Sequence, residues 1–247
     1  MEGLKEALSY VADLQTEANK TEVVNINGRT YANKSLKRYD KPEKAEKFTV
    51  KTLSAVVDYV RDCNREFRSG MILHVASPTR VVLMSRLDEE REREVLLEAD
   101  AEVSKFEFDR WYDQEGFMIN LQANFESNED LEIVKKVAGN TVKRNENAVS
   151  DDGVTQIATA TVGVATKADV IVPNPVTLIP YRTFQEVQQP DSKFIFRIGD
   201  KEVPAFKLVE AQGGIWKNTA INNIKAYFTE RLLDMPEDVS GKIVVIG

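Results

Sequence analysis

Residues Val170–Phe184 read VIVPNPVTLIPYRTF, and the rest of the chain is best understood outward from them. The stretch couples a β-type run to a loop punctuated by Pro173, Pro175 and Pro180, then emerges into Tyr181-Arg182-Thr183-Phe184. Each proline lacks an N–H, fixes φ and pushes its predecessor toward extended geometry. Val172, Asn174 and Ile179 are those predecessors. A segment so constrained loses little conformational freedom on folding. Two uses follow. The loop can hold Asn174, Thr177, Tyr181, Arg182 and Thr183 in fixed directions around a ligand. Alternatively it is a corner between strands, with Val176, Leu178 and Ile179 plugging a core.

Upstream of the corner the periodicity is two. Val154, Gln156, Ala158, Ala160 and Val162 share one parity and Thr155, Thr159 and Thr161 the other, which predicts a long strand or hairpin of small side chains reaching Val172. Gly163 permits close approach or strong curvature there. Downstream, SKFIFRI and PAFKLVEA read as further strands, and Gly199-Asp200 and Gly213-Gly214 read as turns. A helix over about 218–233 buries Ile221, Ile224, Phe228 and Leu232, and the tail KIVVIG is β-like and needs a sheet to join.

The amino-terminal half is richer in helix. Leu4, Ala7, Leu8, Val11, Leu14 and Ala18 recur at helical spacing over 2–19. Asn27-Gly28 between β-type residues signals a hairpin, and a polar, basic connection over 34–47 follows. Thr49 or Thr52 opens a helix to about Phe67 whose apolar stripe includes Cys63. Strands over about 71–76 and 80–87 flank Ser77-Pro78-Thr79. In EVLLEADAEV, Glu94, Glu98, Asp100 and Glu102 share a face and read as a charged edge strand. Phe106, Phe108, Trp111 and Tyr112 lead into a helix over 113–125. Ser127 is placed to cap the next helix, which Gly139 closes. The polar stretch 140–152 is a loop or sub-boundary.

These elements predict an α+β fold (mixed α/β possible), largely antiparallel, with about five amphipathic helices and a β-rich carboxy-terminal half. Three divisions follow: 1–48 (helix, hairpin and basic linker), 49–235 (main domain) and 236–247 (β tail).

Function is less sharply constrained. A chain of 247 residues with 42% hydrophobic and 30% charged residues can bury a proper core. One cysteine forbids an intramolecular disulfide and fits a reducing cytoplasm. No secretory signal and no apolar run of membrane-spanning length occurs. A net charge of −7 argues against a coat on nucleic acid. The charge is uneven: residues 20–51 hold nine Lys/Arg against four acids, and 86–115 hold twelve acids against five Lys/Arg. Such faces could pair in a homo-oligomer. His74 is the only histidine and reads as structural; with one Cys it leaves the usual zinc ligand sets unfilled. Neither nucleotide-loop pattern is present. No catalytic, metal or cofactor residues are assigned. A ligand site would draw on Arg80, Arg86, Asn174, Thr177, Tyr181, Arg182, Thr183 and Arg197, since arginine reads phosphate and carboxylate.

The segments ILHVASPTRVVLMSRLD, DDGVTQIATATVGVATKADVIVPNPVTLIPYRTF and QPDSKFIFR resemble a family of phage and prophage proteins typified by the prophage protein YfdQ, over about residues 50–230. The resemblance implies a bacteriophage origin and action inside the host bacterial cytoplasm; the family brings no assigned activity and so no catalytic residues. The expectation is a non-enzymatic phage protein that binds a host protein or a small anionic, nucleotide-like ligand, for example in counter-defence. Alternatives are an accessory factor in phage DNA replication or recombination, using the basic segment and the aromatic cluster; a metal-dependent nucleotide enzyme built on Glu98, Asp100 and Glu102; and a virion component.

Overall fold

The computed structural model describes residues 2–34, 43–103, 105–141, 156–162, 166–199 and 203–247. The chain divides into two units, Met1–Lys44 and Ala45–Gly247.

In the first unit, α1 (Glu2–Ala18) is followed by a hairpin of β1 (Val23–Ile26) and β2 (Arg29–Ala32). Asn27 and Gly28 take φ of 53° and 75°, the left-handed geometry that a two-residue hairpin turn requires. Asn33 closes its base, its side chain accepting from the Glu22 N–H and donating to the Lys20 carbonyl.

The second unit is α+β and contains two five-stranded sheets. The first runs β14-β4-β5-β6-β3, formed by β3 (Phe48–Val50), β4 (Met71–Ser77), β5 (Arg80–Ser85), β6 (Val95–Asp100) and β14 (Ile243–Ile246). It is mixed: β14 lies parallel to β4 and β3 parallel to β6, whereas the central pairs are antiparallel. α2 (Leu53–Asp62), α5 (Trp216–Leu233) and α6 (Glu237–Ser240) supply Leu53, Val56, Val60, Ile224, Phe228 and Val239 to its core. Thr52 caps α2 by accepting from the Ala55 N–H.

The second sheet is antiparallel, in the order β7-β13-β12-β11-β8, formed by β7 (Tyr112–Asp113), β8 (Phe125–Glu126), β11 (Val176–Pro180), β12 (Ser192–Gly199) and β13 (Ala205–Glu210). α3 (Gln114–Asn124) and α4 (Glu129–Asn140) pack on it around Phe117, Leu121, Val134, Phe194, Phe196 and Phe206. A separate antiparallel hairpin joins β9 (Gln156–Val162) to β10 (Thr166–Val172). Among the described residues no helix is long and apolar enough to cross a membrane.

Several expectations change on contact with the fold. The acidic strand is not an edge: β3 covers β6, and Glu98 is buried between Lys47 and Arg80 at 2.9 and 2.8 Å. The helix cap is Asn128, whose Oδ1 accepts from the Leu131 N–H, and Gly139 lies inside α4 instead of ending it. Cys63 is the half-buried C-cap of α2, outside the buried stripe. The tail is an integral strand of the first sheet and not a separate division, because its alternate residues Ile243 and Val245 pack into that core. Phe48, expected to end the basic linker, opens β3 of the main unit. Most of the 140–152 loop, Gly163 and much of the basic connection lie outside the described residues.

Candidate functional site

The segment 181–189 leaves β11 in the second sheet, enters the first core and returns to β12. One glutamine gives it its shape. Gln189, buried, accepts through Oε1 from the N–H groups of Arg182 and Thr183 at 3.0 and 3.2 Å, and donates through Nε2 to the Phe184 carbonyl at 2.9 Å. Phe184 then inserts among the first core's residues, 1% exposed. The Thr183 hydroxyl donates to the Pro78 carbonyl in the β4–β5 turn. Glu186 accepts from the N–H groups of Leu53 and Ser54, where a carboxylate meets the positive end of α2. The Asn223 amide in α5 donates to the Gln188 carbonyl at 2.9 Å.

Arg182 sits at the root of this bracket with its side chain 9% exposed. Nη1 donates to Glu210 at 2.7 Å, Nη2 donates to the Ser192 hydroxyl, and the guanidinium lies 3.8 Å from the Trp216 ring centroid. Burial pushes its pKa down to about 10, against the opposing pull of Glu210, so it remains a cation at neutral pH. Arg182 Nε and Trp216 Nε1 are buried without a hydrogen-bond partner among the described residues.

The other expected ligand residues are dispersed. Asn174 clamps β12, donating to the Phe196 carbonyl and accepting from its N–H. The Asn174–Pro175 peptide is cis. The Thr177 N–H donates to Asp130 and its carbonyl accepts from Asn128. Tyr181 is partly exposed, with its N–H on the Asn124 carbonyl. Arg80 begins β5 and pairs with Glu98. Arg86 lies beyond the opposite end of β5, its side chain against Gly70. Arg197 lies within β12, opposite Lys207 on β13. The proline corner and its arginine are thus brought together with Glu210, Ser192 and Trp216, but the arginines do not meet around one hollow.

Two further readings keep only part of their residues. Phe106 and Phe108 pack with Phe125 and Phe194 in the second core, whereas Trp111 of the same aromatic cluster is 42% exposed. Hydrogen bonds from Lys47 and then Arg80 hold the Glu98 carboxyl below the usual carboxylate range, and Glu102 faces Lys51 at 3.6 Å. Among the described residues no group of three His, Cys, Asp or Glu side chains could hold a metal.

A different surface stands open at β14, the outer strand of the first sheet among the described residues. The Met71 N–H bonds to the Lys242 carbonyl, so in a parallel ladder the even residues turn their backbone groups toward β4, and Ile243 and Val245 turn theirs outward. Val244 and Ile246 are each 42% exposed. Together with Ile72, Arg86, Leu87 and Arg93 they line a hollow of about 430 Å³. A second hollow of about 620 Å³, largely apolar, is lined by Leu232, Leu233, Met235, Ile243 and Val245. KIVVIG announces a strand in need of a sheet, but only the sheet order shows that one side of it is unpaired among the described residues. Comparison with protein-family models, curated proteins and solved structures returns no match.

Proposed function

We propose that this chain is a non-enzymatic binding protein that captures an extended segment of another protein along β14. In the phage setting implied by the sequence resemblance, that partner is a protein of the host bacterial cytoplasm, and counter-defence is the context that fits. The supporting observation is a bare, apolar strand edge with apolar hollows at hand. An added strand takes its affinity from main-chain hydrogen bonds and its specificity from alternate side chains seated in pockets. Natural sheets blunt their edges with shortness, charge, proline or bulges; Ile243–Ile246 is short, at four residues, but carries no charge and no proline. A protein partner is favoured over a small anion because Arg182 and Arg80 already face Glu210 and Glu98.

The test uses Val245→Pro. Proline in an edge strand is tolerated where its missing N–H would face outward. The substitution therefore removes a docking donor and leaves the β14–β4 ladder in place. Full-length protein is incubated with bacterial lysate, cross-linked through the exposed Lys242 amine and mapped by mass spectrometry. The expected result is partner peptides at Lys242 in the wild type, reduced at least about tenfold in the variant, the scale set by ~1.4 kcal/mol of lost binding. Capture indifferent to Val245→Pro, or no cross-link at Lys242, overturns the reading.

A further inference from the structure

The helix α1 presents a face that the described residues of its own unit do not cover. Leu4, Leu8, Val11 and Leu14 are 69, 63, 59 and 48% exposed, and every residue of the β1–β2 hairpin is exposed as well. A 17-residue helix is marginal in water on propensity alone and takes its stability from packing its apolar face. The pattern of the helix itself points to what would cover it.

We infer that the occupant is a second copy of α1, paired side by side and in parallel. Leu4, Ala7, Val11, Leu14 and Ala18 follow one another at spacings of three and four, the seam of a two-stranded coiled coil. With Leu4 taken as position a, Val11 falls at the central a and Leu14 at the following d. A β-branched residue at a with Leu at d favours two parallel strands. The flanking e and g positions are Leu8, Tyr10, Gln15 and Glu17, with a single charge among them. Charges at those positions choose partners in coiled coils, and here almost none is present to oppose self-pairing. Lys5, Glu6 and Asp13 lie on the outward side. The area is adequate. Leu4, Leu8, Tyr10, Val11 and Leu14 leave on the order of 500 Å² uncovered on each helix. Two such faces reach the roughly 1,000 Å² at which a specific interface begins. This pairing uses residues of a different unit from β14 and does not rest on the function proposed above.

The full chain is examined by sedimentation velocity and native mass spectrometry across concentrations on the order of 1 to 100 µM, the range suited to a short coiled coil. The mass is expected to double with rising concentration. Val11→Asp combined with Leu14→Asp should hold the protein at the mass of one chain throughout, while the main thermal transition persists, because both positions belong to the Met1–Lys44 unit and to neither hydrophobic core of Ala45–Gly247. In a Cys63→Ser background, Val11→Cys should give a disulfide-linked pair under mild oxidation and Ala12→Cys should not. A single-chain mass for the wild type at the highest concentration overturns the inference. So does a dimer that survives the aspartate pair, or equal cross-linking at positions 11 and 12. Dissociation by Val245→Pro alone would place the contact at β14 and likewise overturn it.

Discussion

A guanidinium withdrawn from water needs compensating contacts, and Arg182 has Glu210, Ser192, the face of Trp216 and, farther off, the ring of Phe194. Its role is therefore to hold the root of segment 181–189 to β12, β13 and α5. Arg182→Ala leaves Glu210 and Ser192 without their donor and opens a void beside Trp216. Glu210 is 35% exposed and can rehydrate, so the cost falls at about 2–4 kcal/mol and not higher. Arg182→Lys recovers only part of this, because a compact ammonium neither spans both acceptors nor stacks as a plane. Denaturant unfolding reads both values. A loss below about 0.5 kcal/mol for the alanine variant would return Arg182 to the role of a ligand-facing cation.

At the scale of the element, the sequence reveals most of what has length. Helical spacing identifies α1 and α5, alternation identifies β12 and β13, and Asn27-Gly28 identifies the first hairpin. What it hides is short or decided at a distance. β3 has three residues and β7 and β8 two each, too few to display a period, yet β3 turns the acidic strand from an edge into an interior one. Ser127 and Asn128 are both good caps by type; Asn128 also reaches the Thr177 carbonyl, 49 residues away. Asn174, Arg182 and Thr183 are legible as fixed in direction, but that direction is inward. The partners of Asn174 and Thr183 lie 22 and 105 residues off in sequence, beyond any local signal. β6 carries a pH consequence of this burial. The folded state lowers the Glu98 pKa, so the carboxylate contributes stability that is full above the ordinary carboxylate range and is lost as pH falls through the folded value. The wild type should melt above Glu98→Gln at neutral pH, and the gap should narrow as pH falls below the ordinary carboxylate range and through the lowered folded value, where the glutamate too becomes neutral. A gap that stays constant across that range would show that the Lys47 and Arg80 pairs do not act through charge.

At the scale of the whole main unit, two hydrophobic cores each have a sheet of their own, and segment 181–189 is the conspicuous bond between them. Phe184 belongs by sequence to the second sheet's connection and by burial to the first sheet's core. Its removal therefore separates two possibilities that static contacts leave equal. Phe184→Ala leaves a phenyl-sized cavity worth roughly 3–5 kcal/mol in the first core and removes nothing from the second. If the bracket is the main route of coupling, local opening of the first sheet should become easier while the second keeps its stability. Amide hydrogen exchange in β4 and β5 should accelerate by two orders of magnitude or more, in line with that free energy, while β12 and β13 change little. Calorimetry should then resolve a lower transition ahead of the main one. Equal acceleration in both sheets, with a single transition, would mean that the cores unfold as one and that the coupling runs through wider packing. The distinction reaches the proposed function, because β14 depends on the first sheet. Strand capture needs β14 held in place by β4, so Phe184→Ala, which lets the first sheet open more readily, should weaken capture at Lys242 although Phe184 is not among the groups that line the edge.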